Sequence, residues 1–356
     1  MKILLSILCI LLLVFSGGCS SPFVEDNTVE EIAPVTFWSL NKGEGGKMKI
    51  TTLVPPVTNE KKKLFTLNVD LLKQGKKEFN LKFYRELKNG QLRMLIINEK
   101  LAKKEIISII DTILTDPDVS PRLFLVLVKG SFEDFLESES KVEKNLDYNL
   151  YRMFRHYERR NQGEMSIVNL HEFMEKVYSP YSDPVLPLFK ADKDNFTYEG
   201  TALFKENKYV GSFNKREDQM FQLIANDHYL KNLPIPHLNV SLGQVRSKVL
   251  MQADDQFKTL TIHVKLKGRI DEYRGHRNIL SRTEMNRMIH DIESYFQRET
   301  ETLVKETQRL KIEPLEVGAH TLSPLVHPMT RSVWLEKYGK MKVHVKYSVK
   351  IEPLSL

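Results

Sequence analysis

The sequence predicts an α+β protein with mixed and antiparallel sheets, packed helices and more than one domain, and three observations carry that expectation. Two late segments, TLTIHVKLKGRI (259–270) and MKVHVKYSVKI (341–351), alternate apolar and polar residues along their length, the pattern of strands with one solvated face. Between them Met285, Met288, Ile289, Ile292, Phe296, Leu303 and Leu310 recur near helical spacing, so a long helix lies across that sheet. Earlier, RLFLVLVKG (122–130) is apolar almost throughout, as a buried strand requires.

From the start, Lys2 is the only charge before Glu25, Ile3 to Phe15 is apolar except for Ser6, and Ser16-Gly17-Gly18 precedes Cys19. A charged start, a short apolar run and small residues make a secretory signal over residues 1–18. The run is shorter than the roughly twenty residues a membrane-spanning helix needs. Both cysteines of the chain, Cys9 and Cys19, lie here. FSGGC ends in a small residue followed by cysteine, as bacterial lipoprotein signals do, which makes Cys19 the lipidation site. The alternative is an ordinary secretory signal with an incidental Cys19, and it leaves an unpaired thiol near the mature terminus. With lipidation, Cys9 leaves with the signal and Cys19 becomes a thioether carrying the two acyl chains that stable anchoring needs. Residues 19–46 read as lipidated cysteine and tether, with a short apolar piece at Ile32 to Trp38.

An N-terminal α/β domain is expected over 47–190. KMKITTLVPP, KLFTLNVDLL and FNLKFYREL read as strands, and Asn89-Gly90 before QLRMLIINE signals a hairpin. Asn98 caps a helix carrying Leu101, Ala102, Ile106, Ile109, Ile110 and Ile113, and TDPD ends it. Ser131 and Asp134 open the next helix; two more occupy about 147–161 and 166–178. SPYSDPVLP holds Pro180, Pro184 and Pro187, through which no helix continues, and is the expected domain boundary. A C-terminal α+β domain follows over 196–356. It starts with a hairpin turning near Asn207 and a helix capped by Asn214 and Glu217 that runs to about Asp227. In the alternating strands Leu260, Ile262, Val264, Leu266 and Ile270 face inward with Val343, Val345, Tyr347, Val349 and Ile351. Thr261, His263, Lys265, Lys267 and Arg269 face outward with Lys342, His344, Lys346 and Lys350. Such alternation predicts an antiparallel sheet. Ser281 and Glu284 form a capping box for the long helix, which reaches about Lys311 and is roughly 46 Å long.

Composition excludes several classes. Apolar residues at 41% and charged residues at 28% describe a folded body, and the net charge of +7 is spread among acids, with no nucleic-acid module signature. LHEF has His171-Glu172 without a second histidine four residues after the first. His320 and His327 flank a proline-rich loop and lack a third ligand in sequence. No nucleophile elbow, phosphate loop or dinucleotide fingerprint occurs. Gly243 in LGQVRSKV fits a bulge, and Asp254-Asp255 reads as a solvated turn. Arg152, Arg155, His156 and Arg159 share a helical face that is either simply solvated or meets an acidic partner or lipid headgroups. No catalytic residue, cofactor or metal is expected, and hence no enzyme.

Several segments resemble one family, the Ger(x)C lipoprotein C subunits of bacterial spore nutrient-germinant receptors. GQLRMLIINEKLAKKEIISIIDTILTDPDVSPRLFLVLVKGSFEDFL (90–136) resembles its strand–helix–strand core. YEGTALFKENKYVGSFNKREDQMFQLI (198–224) is similar to the opening of its C-terminal domain, and VWLEKYGKMKVHVKYSVKI (333–351) to its closing tryptophan and strand. Two features depart from the family: EPLEVG has Glu313 and Gly318 but no glycine–aromatic–glycine turn, and Ser20 replaces a common tryptophan after the cysteine. The resemblance implies a non-enzymatic subunit tethered through Cys19 to the outer face of the spore inner membrane. Its partners would be an integral-membrane nutrient-binding subunit and a second membrane-associated subunit, and its role docking and signalling in nutrient-triggered germination. A solute-binding lipoprotein of an uptake system is the alternative class, predicting an interdomain cleft; an exported hydrolase is a third.

Overall fold

The computed structural model describes residues 31–56, 62–83, 85–104, 106–160, 164–225, 229–322 and 329–352. The signal segment, Cys19 and His327 lie outside them.

In chain order the strands are β1 (Ile32–Pro34), β2 (Phe37–Lys42), β3 (Met48–Val54), β4 (Lys63–Val69), β5 (Glu86–Lys88), β6 (Met94–Asn98), β7 (Phe124–Gly130), β8 (Val185–Ala191), β9 (Phe196–Lys205), β10 (Lys208–Asn214), β11 (Tyr229–Ile235), β12 (Val240–Ala253), β13 (Thr259–Tyr273) and β14 (Lys342–Glu352). The helices are α1 (Leu72–Lys82), α2 (Glu99–Ala102), α3 (Ile107–Leu114), α4 (Phe132–Glu139), α5 (Leu146–Arg160), α6 (Leu170–Tyr178), α7 (Lys215–Ala225), α8 (Arg282–Leu310), α9 (Val317–Thr321) and α10 (Arg331–Lys340).

The first sheet has eight strands in the order β10-β9-β8-β7-β6-β2-β3-β4. Its centre, β2, β6, β7 and β8, is parallel, and both flanks are antiparallel. Both faces of the centre are buried, as the unbroken apolar run of β7 predicts. Met94, Ile96, Phe124, Val126 and Val128 pack on one side with Phe132, Phe135 and Phe154 of α4 and α5. Leu95, Ile97, Leu125 and Leu127 pack on the other with α1, α3, α6 and α7.

The second sheet has the order β11-β12-β13-β14, and α8 crosses its inner face. Met288, Ile292, Phe296 and Leu303 are buried there, as the sequence predicts. Thr300 and Thr307 share that face and are satisfied by the hydroxyls of Tyr347 (2.8 Å) and Tyr338 (2.7 Å). One apolar cluster runs unbroken from Trp38 in the first sheet to Val349 in the second, and takes in Ala33 and Leu87 of the separate two-stranded β1–β5 sheet.

Several expectations are corrected. The tether cannot extend to residue 46, because Ile32–Pro34 and Phe37–Lys42 are strands and Ala33, Val35 and Phe37 are fully buried. The first sheet does not stop at the proline-rich boundary: β9 and β10 extend it, since Val185 to Ala191 pairs antiparallel with Phe196 to Leu203. The second sheet is mixed, because β13 and β14 pair in parallel. Alternation reports which face is buried, and the return of the chain along α8 sets the strand direction.

FNLKFYREL is split: residues 79–82 close helix α1, which buries Leu72, Gly75 and Phe79 on one face, and Glu86 and Leu87 open β5. No hairpin forms at Asn89-Gly90, because β1 takes β5 as its parallel partner; Asn89 is buried and donates to Asp116 Oδ2 at 3.0 Å. The helix after Asn98 breaks into α2 and α3, where the Ile106 N–H turns to the Asn207 side chain at 3.2 Å. Helix α6 begins late, at the capping box of Asn169 and Glu172, since Leu125 N–H bonds Val168 O in the segment before it. Ser281 is the N-cap of α8 but makes no side-chain bond there, and Glu284 pairs with Arg287 at 2.6 Å.

Candidate functional site

The densest set of buried charges lies where the proline-rich segment 179–184 meets the end of α8 and the start of α10. Pro180 and Pro184 keep that segment out of helix, and its extended backbone brings Asp183 inside with no exposure. Asp183 Oδ1 accepts from Arg331 Nη2 at 2.5 Å and from the Glu206 N–H at 2.8 Å; its Oδ2 accepts from the Glu313 N–H at 2.8 Å. Asp183 N–H in turn donates to Glu313 O at 3.0 Å. Arg331 also donates to Ser179 O and Ser182 O and stands 3.8 Å from Glu206 Oε1. Burial pushes the Asp183 carboxyl above the ordinary aspartate value against the pull of these donors.

Glu313 is fully buried beside it. Its Oε1 accepts from the Val317 N–H at 2.5 Å, and Oε2 has no partner among the described residues. Burial raises this carboxyl well above the usual glutamate range, with Asp183 and Glu316 adding repulsion. Glu316, left-handed at φ 55°, accepts from Lys176 at 2.8 Å and Ser182 at 3.2 Å. Trp334 plugs the same junction: it is fully buried, stacked on Tyr338, and edge-on to Tyr181 and Phe257. A Cβ at Gly318 would sit 2.9 Å from the indole and 2.9 Å from Tyr181 Cβ, so glycine permits this close approach.

A second buried set ties β9, α7 and the 164–168 segment. Asp218 Oδ1 accepts from Thr201 Oγ1 at 2.6 Å and Gln222 Nε2 at 3.2 Å, and Oδ2 from Tyr198 OH at 2.7 Å. Burial raises both the Asp218 carboxyl and the Tyr198 hydroxyl above their ordinary values. These carboxylates are bound on nearly every side by groups that fix elements in place.

Two cavities flank the junction. One of about 720 Å³ is lined by Lys205, Glu206, Lys311, Arg331, Leu335 and Lys340. The other, about 610 Å³, lies against Ser166, Glu172, Lys176, Gln222 and Glu316.

The sequence candidates are scattered. His320 sits exposed on α9, and no cluster of three potential metal ligands occurs among the described residues. Asp254 caps its own turn by accepting from Lys258 N–H at 2.7 Å, and Gly243 borders a register shift in β12. On α5, Arg155 pairs with Glu158, and Arg152 lies over the Tyr148 ring at 5.8 Å. The Asp183–Arg331 pair escapes sequence reading because its members lie 148 positions apart. Its traceable signals are the prolines around Asp183 and the Glu313 and Gly318 of EPLEVG.

Fold and junction together define a class: an α+β protein with two large sheets and a two-stranded one, whose buried carboxylates lock the first large sheet to the C-terminal helices. The profile of the spore germination protein N-terminal domain matches residues 25–191, and that of the spore germination B3/GerAC-like C-terminal domain matches residues 199–354. The chain therefore belongs to the GerAC-like family of spore germination proteins. It is similar to spore germination protein GerQC of Bacillus cereus, at 22% identity over 97% of each chain. The crystal structure of the GerBC protein shares the fold, with a TM-score of 0.56, 14% identity, and coverage of 89% of this chain and 97% of that one.

Proposed function

We propose that this chain is a docking and signalling subunit of a spore nutrient-germinant receptor, held by a diacylglyceryl thioether on Cys19 at the outer face of the spore inner membrane. The carrying observation is the match of two germination-protein profiles, in order, over residues 25–191 and 199–354. No helix among the described residues is long and apolar enough to cross a membrane, and the lipobox FSGGC supplies an anchor. The buried carboxylates serve the packing of the body, which favours a non-catalytic role. In this reading the body docks onto an integral-membrane nutrient-binding subunit and a second membrane-associated subunit. Tethering raises its effective concentration at both, so weak contacts suffice.

The test is genetic. Spores lacking the gene should lose the response to at least one nutrient, and a Cys19→Ala copy should restore it poorly. Normal germination of the deletion strain with every nutrient tried would sink the proposal. The 720 Å³ cavity, within the size range of ligand sites, favours the solute-binding alternative. Calorimetry with amino acids, sugars and nucleosides decides, since saturable heat is expected only from a solute binder.

A further inference from the structure

The outer face of the second sheet carries more positive charge than its own structure neutralises. Strand register sets its cations in rows. Arg246, Lys267 and Lys350 lie opposite one another on β12, β13 and β14; Lys248 and Lys265 form the next row; His263 and Lys346 the one after. Strands stand about 4.8 Å apart and alternate residues about 6.8 Å apart along each. Like charges directly opposite in a sheet destabilise it, and here three such pairs are adjacent. Among the described residues, none of Lys248, Lys265, Lys267, Lys346 and Lys350 has a carboxylate within ion-pair distance. The nearest compensated cation is Arg269, paired with Asp271 at 2.7 Å where the array ends. The folded chain therefore presents a net positive array on this face, bounded by Asp271 and by Glu352 opposite Arg269.

We infer that this sheet face is a docking surface for the anionic headgroups of a phospholipid bilayer, which orients the tethered body with β12, β13 and β14 toward the membrane. The inference rests on the lipoprotein reading above and adds the orientation to it. Lysine supplies most of the cations. A compact, hydrated charge on a flexible stem meets a headgroup phosphate as a point charge and needs no fixed bidentate geometry. Leu250, 55% exposed and opposite His263, offers an apolar side chain at the margin of the face. Charge–headgroup attraction of this kind accumulates per lysine near the surface and is screened by salt.

The test uses the mature chain, residues 19–356 with Cys19→Ala, so that neither an acyl anchor nor the apolar signal segment contributes, in flotation with phosphatidylcholine vesicles and with vesicles that also contain phosphatidylglycerol. At low salt the anionic vesicles should bind roughly 100-fold more strongly, and high salt should abolish the difference. The variant Lys248→Gln/Lys265→Gln/Lys267→Gln/Lys350→Gln should lose most of that preference while melting at or above the temperature of its parent, because repulsion is relieved. A control with the same charge change on α1, Lys73→Gln/Lys76→Gln/Lys77→Gln/Lys82→Gln, should keep it. No preference for anionic vesicles, the result expected if an acidic protein occupies the face instead, would overturn the inference. So would an equal loss in the control. Failure of the anchor reading appears separately, as an unmodified Cys19 in the native polypeptide.

Discussion

Replacing Glu313 by glutamine tests whether the junction holds a protonated carboxyl. The side chain has no exposure; its Oε1 accepts from Val317 N–H, and Oε2 has no partner among the described residues. Burial holds its folded-state pKa well above the ordinary 4.5. Between that value and the raised one, the folded chain binds a proton that the unfolded chain has released. Stability from this group is therefore complete below the unfolded pKa and declines as pH rises through the window. One proton sets the slope at up to about 1.4 kcal/mol per pH unit. Glutamine keeps the accepting oxygen and cannot titrate. Urea unfolding followed by tryptophan fluorescence, with Trp334 at the junction itself, should therefore show Glu313→Gln gaining on wild type as pH rises from the ordinary glutamate value through the raised one. Asp218 titrates in both proteins and cancels, whereas Asp183 is coupled to Glu313 by repulsion, so the difference reports Glu313 together with its effect on Asp183. Parallel pH profiles would refute the reasoning.

Other substitutions probe the same packing. Arg331→Met leaves the Asp183 carboxylate buried without its cation and should cost about 3 kcal/mol in urea unfolding; a loss near zero would show that the backbone donors suffice. Gly318→Ala drives a methyl against Trp334 and Tyr181, and should lower stability by about 1–3 kcal/mol, read as a fall in melting temperature. Asp218→Ala strips Tyr198, Thr201 and Gln222 of their shared acceptor and should cost about 2–3 kcal/mol in the same melting assay; an unchanged melting point would argue against that network.

What the sequence makes legible follows from local physics. Strict alternation in 259–270 and 342–351 names the inward side chains of β13 and β14 correctly, and only Gly268 among the buried positions of β13 goes unnamed. Asn98, Ser131 and Asn214 act as the caps their positions suggest. Strand direction is not local: β14 is parallel to β13 because of what the chain does over the intervening sixty-odd residues. Helix α1 was hidden by its aromatics, since Phe79 and Phe83 suit a strand as well as a helix face until Phe65 and Phe79 pack together. The β1–β5 pairing defeated the Asn-Gly signal through a contact more than fifty residues distant. The junction was legible only as fragments, a proline cluster and the run EPLEVG, because its geometry joins a mid-chain segment to one near the C-terminus. Buried threonines on α8 look like solvent positions until Tyr338 and Tyr347 are placed opposite them.

Mass spectrometry of the polypeptide isolated from spore membranes tests the membrane-bound reading most directly. A mature chain that begins at Cys19 and carries the added mass of a diacylglyceryl group is the predicted result. A chain that retains residues 1–18, or a Cys19 with a free thiol, would contradict it.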